Sequence, residues 1–306
     1  MPIRSDSPIK LTGWYSGDNE RLFKMMSIFL NLAADYVEPD MIEAITGGDK
    51  TQTEYAFASI AAAACGLDVY GNNADRRFFK NRFLGMFRLL DISEYKSNPY
   101  YRNIKLPEGD AAGGKWTFGK RICKPYEAFV YDDPDISVSP SGEVLVTPKI
   151  GFFDEAYEYH AVLENGREWM TLLPNETNTS AYAVERARGR VLTFGLGLGY
   201  YAYMASEKPE VSSVTVVERD KNAISLFREY VLPQFREKEK IEIICADAFE
   251  YAEKTMPNGN FDVVFTDIWH DPSDGAELML KMKTLAEKAP GPEYIYWLEN
   301  TVNLYL

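Results

Sequence analysis

Apolar residues recur at helical spacing from Leu22 through Met25, Met26, Phe29, Leu32, Ala33 and Tyr36, which predicts a helix ending before Pro39. A second, alanine-rich run spans Thr53 to Ala64 and stops at Gly66. A third starts at an expected Asp75 cap and sets Phe79, Phe83, Met86, Phe87 and Leu90 on one stripe. Residues 93–120 are rich in Gly, Pro, Asn and Tyr, with Ala111-Ala112-Gly113-Gly114 as a loop or linker. From about Phe118 to Leu173 the pattern turns to strands. Ser141-Gly142 and Asn165-Gly166 are turn dipeptides, so Tyr157 to Leu163 and Arg167 to Leu173 read as a hairpin.

From Asn175 the rhythm becomes strand and helix in alternation. A short helix, Glu176 to Ala187, ends at Gly189. Strands are expected at Val191–Phe194, Val214–Glu218, Ile241–Cys245, Phe261–Asp267 and Tyr294–Leu298. Short, continuously apolar strands between helices mean a parallel sheet covered on both faces. The expected organisation is therefore a helical region over residues 1–110, a small antiparallel β unit over 111–174, and a Rossmann-like, doubly wound, mostly parallel α/β domain over 175–306.

Composition narrows the chemistry. Forty-six acidic residues against 33 basic ones give a formal net charge of −13, the wrong sign for a protein whose main partner is nucleic acid. The basic residues Arg76, Arg77, Lys80, Arg82 and Arg88 share one segment, readable as an anion patch or as a solvated helix face. Cys65, Cys123 and Cys245 are far apart and odd in number, which suits a reduced cytoplasm. With only His160 and His270 beside them, no metal site is expected. Met1 to Asp6 lacks the apolar stretch of a signal peptide, and no run is apolar enough to cross a bilayer, so no membrane partner is expected.

The chemistry-bearing residues sit at the strand ends. Val191 to Phe194 runs into Gly195-Leu196-Gly197-Leu198-Gly199 and then a helix. Missing side chains permit a tight turn and close approach to a ligand, and the free N–H groups behind the loop suit an anionic group. Glu218 ends the next strand, placed to accept ribose hydroxyls, with Arg219 following it. Asp247 follows the third strand; it can accept from an adenine amine, cap the helix from Ala248, or do both. Asp267 lies at the carboxyl end of the fourth strand, on the rim where open α/β sheets bind ligands.

In this order, Gly195-x-Gly197-x-Gly199, Glu218, Asp247 and Asp267 resemble the class I S-adenosylmethionine-dependent methyltransferases over about Arg190 to Trp269, and more loosely from Asn175 onward. The resemblance implies S-adenosylmethionine as cofactor, with the loop Gly195, Leu196, Gly197 and Gly199 at the methionine part. It implies Glu218 at the ribose, Asp247 and Ala248 at the adenine, and Asp267 near the transferred group, with Arg219 also among the cofactor-binding residues. The activity it implies is methyl transfer to a small-molecule acceptor, with Asp267 as base and His270 as a second candidate. This chain departs from the family at Thr193-Phe194, where an acidic residue usually precedes the glycines, and ends at Leu306 soon after the fifth of seven expected strands.

Other readings stay open. Spermidine synthase-like aminopropyltransferases share the fold and the preceding β unit, and Asp267, Asp271 and Asp274 can hold a cationic amine. Gly197-Leu198-Gly199-Tyr200-Tyr201-Ala202 also satisfies a nicotinamide-type G-x-G-x-x-A pattern, though Asp247 has no usual place there. A binding protein that keeps the fold without turnover is a further reading. Trp269 and Tyr200 are either core residues or partners of a sulfonium. The N-terminal helices and β unit are expected to form a lid, an acceptor platform or an oligomer surface.

Overall fold

The computed structural model describes Tyr15, residues 17–107 and residues 111–306. The stretch Met1 to Asp6, read above for a leader, lies outside the described residues. The chain forms two compact units, Met1–Ser93 with Ile122–Glu158, and Glu94–Arg121 with Tyr159–Leu306.

These units interleave instead of following the three consecutive stretches expected from sequence. The reason is that strands between residues 111 and 174 divide between two sheets. Phe129–Val138 pairs antiparallel with Val144–Phe152, which pairs parallel with Phe87–Leu89 from the helical region. Ala111–Gly113, Trp116–Cys123, Tyr157–Glu164 and Arg167–Thr171 form a separate four-stranded sheet.

In the first unit, helices Gly17–Leu32, Pro39–Thr46 and Thr53–Ala64 enclose a core that includes Leu22, Phe29, Phe57, Phe83, Phe87 and Phe152. The Phe57 and Phe152 rings stack at 3.9 Å. The third helix starts earlier than the Asp75 cap predicts. Asn72 caps it, accepting from the Ala74 and Asp75 N–H groups, while the Asp75 carboxylate pairs with Arg21 at 2.7 Å. Arg82 is buried and donates to Asn19 Oδ1 at 2.8 Å and to the Val146 carbonyl, so it belongs to the core and not to an anion patch.

The second unit carries five parallel strands, β1 (Gly189–Phe194), β2 (Val211–Glu218), β3 (Ile241–Cys245), β4 (Val263–Thr266) and β5 (Glu293–Tyr296), in the order β3-β2-β1-β4-β5. Helices α1 (Pro174–Arg186), α2 (Tyr200–Ser206), α3 (Lys221–Leu226), α4 (Ala248–Lys254) and α5 (Pro272–Ala286) flank it. Alternate residues of each strand point to opposite faces. Val191, Val214, Val216, Val263 and Phe265 pack with Ala183, Tyr203, Ala223 and Ile224 on one side. Leu192, Phe194, Val217 and Val264 pack with Ala252, Met279 and Met282 on the other. Both faces are thus filled, and the sheet is doubly wound in the Rossmann-like manner. The strand order reverses between β1 and β4, which makes the gap beyond their carboxyl ends the topological switch point. No described helix is long and apolar enough to cross a membrane.

The hairpin Tyr157–Glu164 / Arg167–Thr171 turns at Asn165 and Gly166, both at positive φ (51° and 81°), as a tight primed turn requires. Its register is Glu164 opposite Arg167, Leu163 opposite Glu168, then Val162 opposite Met170. Trp169 is therefore the extra residue of a β-bulge, in a strand at the sheet edge.

Candidate functional site

The glycine loop and the end of β4 are knitted together. The Asp267 N–H donates to the Phe194 carbonyl at 2.9 Å. Gly195 sits at φ +98°, and a Cβ there would overlap the Asp267 carbonyl oxygen. No side chain fits, so glycine is what lets β1 turn while β4 ends against it. Gly197, at φ +49°, lies against the thioether of Met170, and the Leu198 N–H meets that sulfur at 3.0 Å. The Tyr100 hydroxyl donates to the Leu198 carbonyl. Leu196 is buried, and Gly199 packs against the Phe227 ring.

Glu218 ends β2 beside this loop. Burial pushes its carboxyl above the ordinary range, while the N–H groups of Asp220, Leu196 and Arg219 hold it partly down. The Asp220 N–H bond is 2.8 Å. Arg219 is exposed, and its carbonyl accepts from Cys245 Sγ. Cys245 pairs in register with Glu218, so the β2 and β3 ends are neighbours. Just past β3, Asp247 is exposed and caps α4, its Oδ1 accepting from the Phe249 and Glu250 N–H groups at 2.9 and 3.0 Å. Ala248 opens that helix, half-buried.

Asp267 is half-buried at the switch point, and desolvation pushes its carboxyl well above the ordinary range. A residue that the sequence reading passed over stands with it. Glu176, in the first turn of α1, is buried, and its pKa is raised by desolvation and then by the Asp267 charge. Its carboxylate Oε1 accepts from Ser180 Oγ at 3.4 Å. Glu176 looked like an ordinary acidic residue at a helix start. The available signal was periodicity. Glu176, Ser180, Ala183 and Ala187 fall at helical spacing, and all four are buried, so the carboxylate lies on the inward stripe.

His270 is exposed, and its ring contacts the hairpin and its own loop. It packs against Trp169 at 5.2 Å, and Nε2 lies 3.5 Å from the Glu168 carbonyl. Asp271 and Asp274 form a capping box at the start of α5. Trp269 is buried against Gly275, and Tyr200 is buried with its hydroxyl accepting from Asn98 at 3.0 Å, so both serve the core. The structure thus brings the glycine loop, Glu218 and Asp267 together with Glu176 at one rim, and puts Asp247 on the adjoining strand end. Among the described residues, no group of three His, Cys, Asp or Glu side chains is placed to hold a metal ion.

No family model matches the chain, and no curated protein matches it. Solved structures similar to it include spermidine synthase from Thermotoga maritima, at 18% identity and TM-score 0.32 over 51% of this chain and 48% of that one. A putative O-methyltransferase from Klebsiella pneumoniae matches at 16% and 0.28 over 35% and 48%. A probable spermidine synthase from Corynebacterium glutamicum matches at 16% and 0.33 over 56% and 57%. The chain spans about half the length of these matched structures. The chemistry of the site is therefore taken from its own residues.

Proposed function

We propose that the second unit binds S-adenosylmethionine along the carboxyl rim of its sheet and transfers the methyl group to a small-molecule acceptor. The observation that carries this reading is the close seating of Gly195 against Asp267 at the switch point, with Glu218 one strand away. The adenosine end fits the residues present. Glu218 and Asp247 put two carboxylates on the neighbouring ends of β2 and β3, with Ala248 beside them. Ribose hydroxyls and an adenine amine are the donors such acceptors suit.

When bound, the cofactor supplies an electrophilic methyl on a sulfonium. Glu218 accepts from the ribose and fixes the nucleoside along the rim. Asp267 takes the proton that a protonated acceptor must lose, and its desolvation, which lifts its pKa to about 7, keeps that carboxyl proton-binding near neutral pH. The remaining work is to hold the acceptor in attack geometry. A thermal-shift panel of S-adenosylhomocysteine, methylthioadenosine and NADH tests the reading, since a native ligand raises the melting temperature by mass action. Stabilisation by NADH alone would reject it.

One observation favours a second reading, aminopropyl transfer to an amine. Among the described residues, neither Glu176 nor Asp267 has a cationic side chain paired to it. A substrate ammonium would supply the missing charge. Product analysis with putrescine or spermidine and the decarboxylated cofactor, run beside methyl-transfer assays, separates the two.

A further inference from the structure

The glycine loop is already in use. Leu198 offers an N–H, Gly197 leaves out a side chain, and the Met170 thioether fills the space both create, 3.0 Å from the Leu198 nitrogen. Met170 reaches the loop because Trp169 is the extra residue of a bulge in the edge strand Arg167–Thr171. Such bulges re-aim the side chains next to them. The same strand touches the opposite lip of the crevice, through the Trp169 ring against His270 and the Glu168 carbonyl 3.5 Å from His270 Nε2. One short strand therefore bridges the loop after β1 and the loop after β4.

The order of strands says which part of a ligand meets Met170. With adenine at the β3 end and ribose at the β2 end, the remainder of the molecule runs on toward β1, where the Leu198 N–H lies. We infer that Met170 is a gate on this subsite: its thioether occupies the place of the cofactor's amino-acid tail, and the bulged strand must shift before a nucleoside carrying that tail seats fully. This rests on the cofactor reading above and adds to it a residue that sets which adenosyl ligand enters. A nucleoside without the tail binds with the gate in place. One with the tail must first break the N–H to sulfur contact and loosen the strand.

Calorimetric titration with two probes tests it, 5′-methylthioadenosine without the tail and S-adenosylhomocysteine with it. The expected result is equal methylthioadenosine affinity in the wild type and Met170→Ala, with S-adenosylhomocysteine bound about tenfold more tightly by the variant, a difference calorimetry resolves easily. Hydrogen exchange on the unaltered protein gives a second readout, independent of whether the variant folds. Exchange over residues 167–171 is expected to rise with S-adenosylhomocysteine and to stay unchanged with methylthioadenosine. If both probes bind and the variant leaves their affinity ratio unchanged, or the strand responds to both alike, Met170 is no gate and the cofactor reading survives. If neither probe binds either protein, the gate falls together with the cofactor reading.

Discussion

Asp267, at the end of β4, raises the proton affinity of Glu176, in the first turn of α1, and among the described residues no cation is paired with either. A carboxyl whose folded pKa stands above its unfolded one costs nothing below the unfolded value and costs most above the folded one. The cost therefore sets in as pH rises past the ordinary values of 3.8 and 4.5. Glu176→Gln removes one of the two charges. The variant is expected to melt about 2–4 °C above the wild type near pH 8, a shift worth roughly 1 kcal/mol. The gap should shrink toward about pH 5.5, where the wild-type pair holds its protons. Calorimetric scans across that range check it; a gap that widens toward acid contradicts it.

Asp267→Asn and Glu218→Ala are expected to fail in different steps. Loss of the base costs turnover about 10²–10⁴-fold and leaves nucleoside affinity nearly unchanged. Loss of Glu218 weakens nucleoside binding by about 10–100-fold, the worth of hydrogen bonds to a charged acceptor. Titration and single-turnover assays on both variants separate these effects. Full activity in Asp267→Asn removes that residue from the mechanism.

Gly195→Ala places a methyl group on the Asp267 carbonyl at a φ of +98°. The strain alone is worth about 1–3 kcal/mol. Urea unfolding should show at least that loss, together with weaker nucleoside binding. A variant as stable as the wild type would show that the loop and the β4 end are not locked together.

Asp271→Ala tests the rival use of the acidic residues after β4. The capping box makes Asp271 a structural group, so the substitution should cost about 1 kcal/mol of stability and leave acceptor affinity intact. Loss of amine binding in this variant, at unchanged fold, would move the acceptor site to α5.

The parallel sheet was legible because its strands are short apolar runs whose ends carry glycines and carboxylates. Gly195, Glu218 and Asp267 lie at one rim because strand order puts β2, β1 and β4 side by side. Strand order also explains what was not legible. Nothing local in Phe129–Val138 or Tyr157–Glu164 says that they join different sheets, since pairing is decided by distant partners. Glu176 was hidden by being plausible as a helix-start acid. Met170 became visible only once a one-residue bulge, a matter of register and not of composition, turned it onto the glycine loop.

The most direct test of the central claim is isothermal titration of the wild type and Glu218→Ala with S-adenosylhomocysteine and with NADH. The expected result is saturable one-to-one binding of S-adenosylhomocysteine, weakened about 10–100-fold by Glu218→Ala, with no heat from NADH. Saturable NADH binding with none of S-adenosylhomocysteine would contradict it.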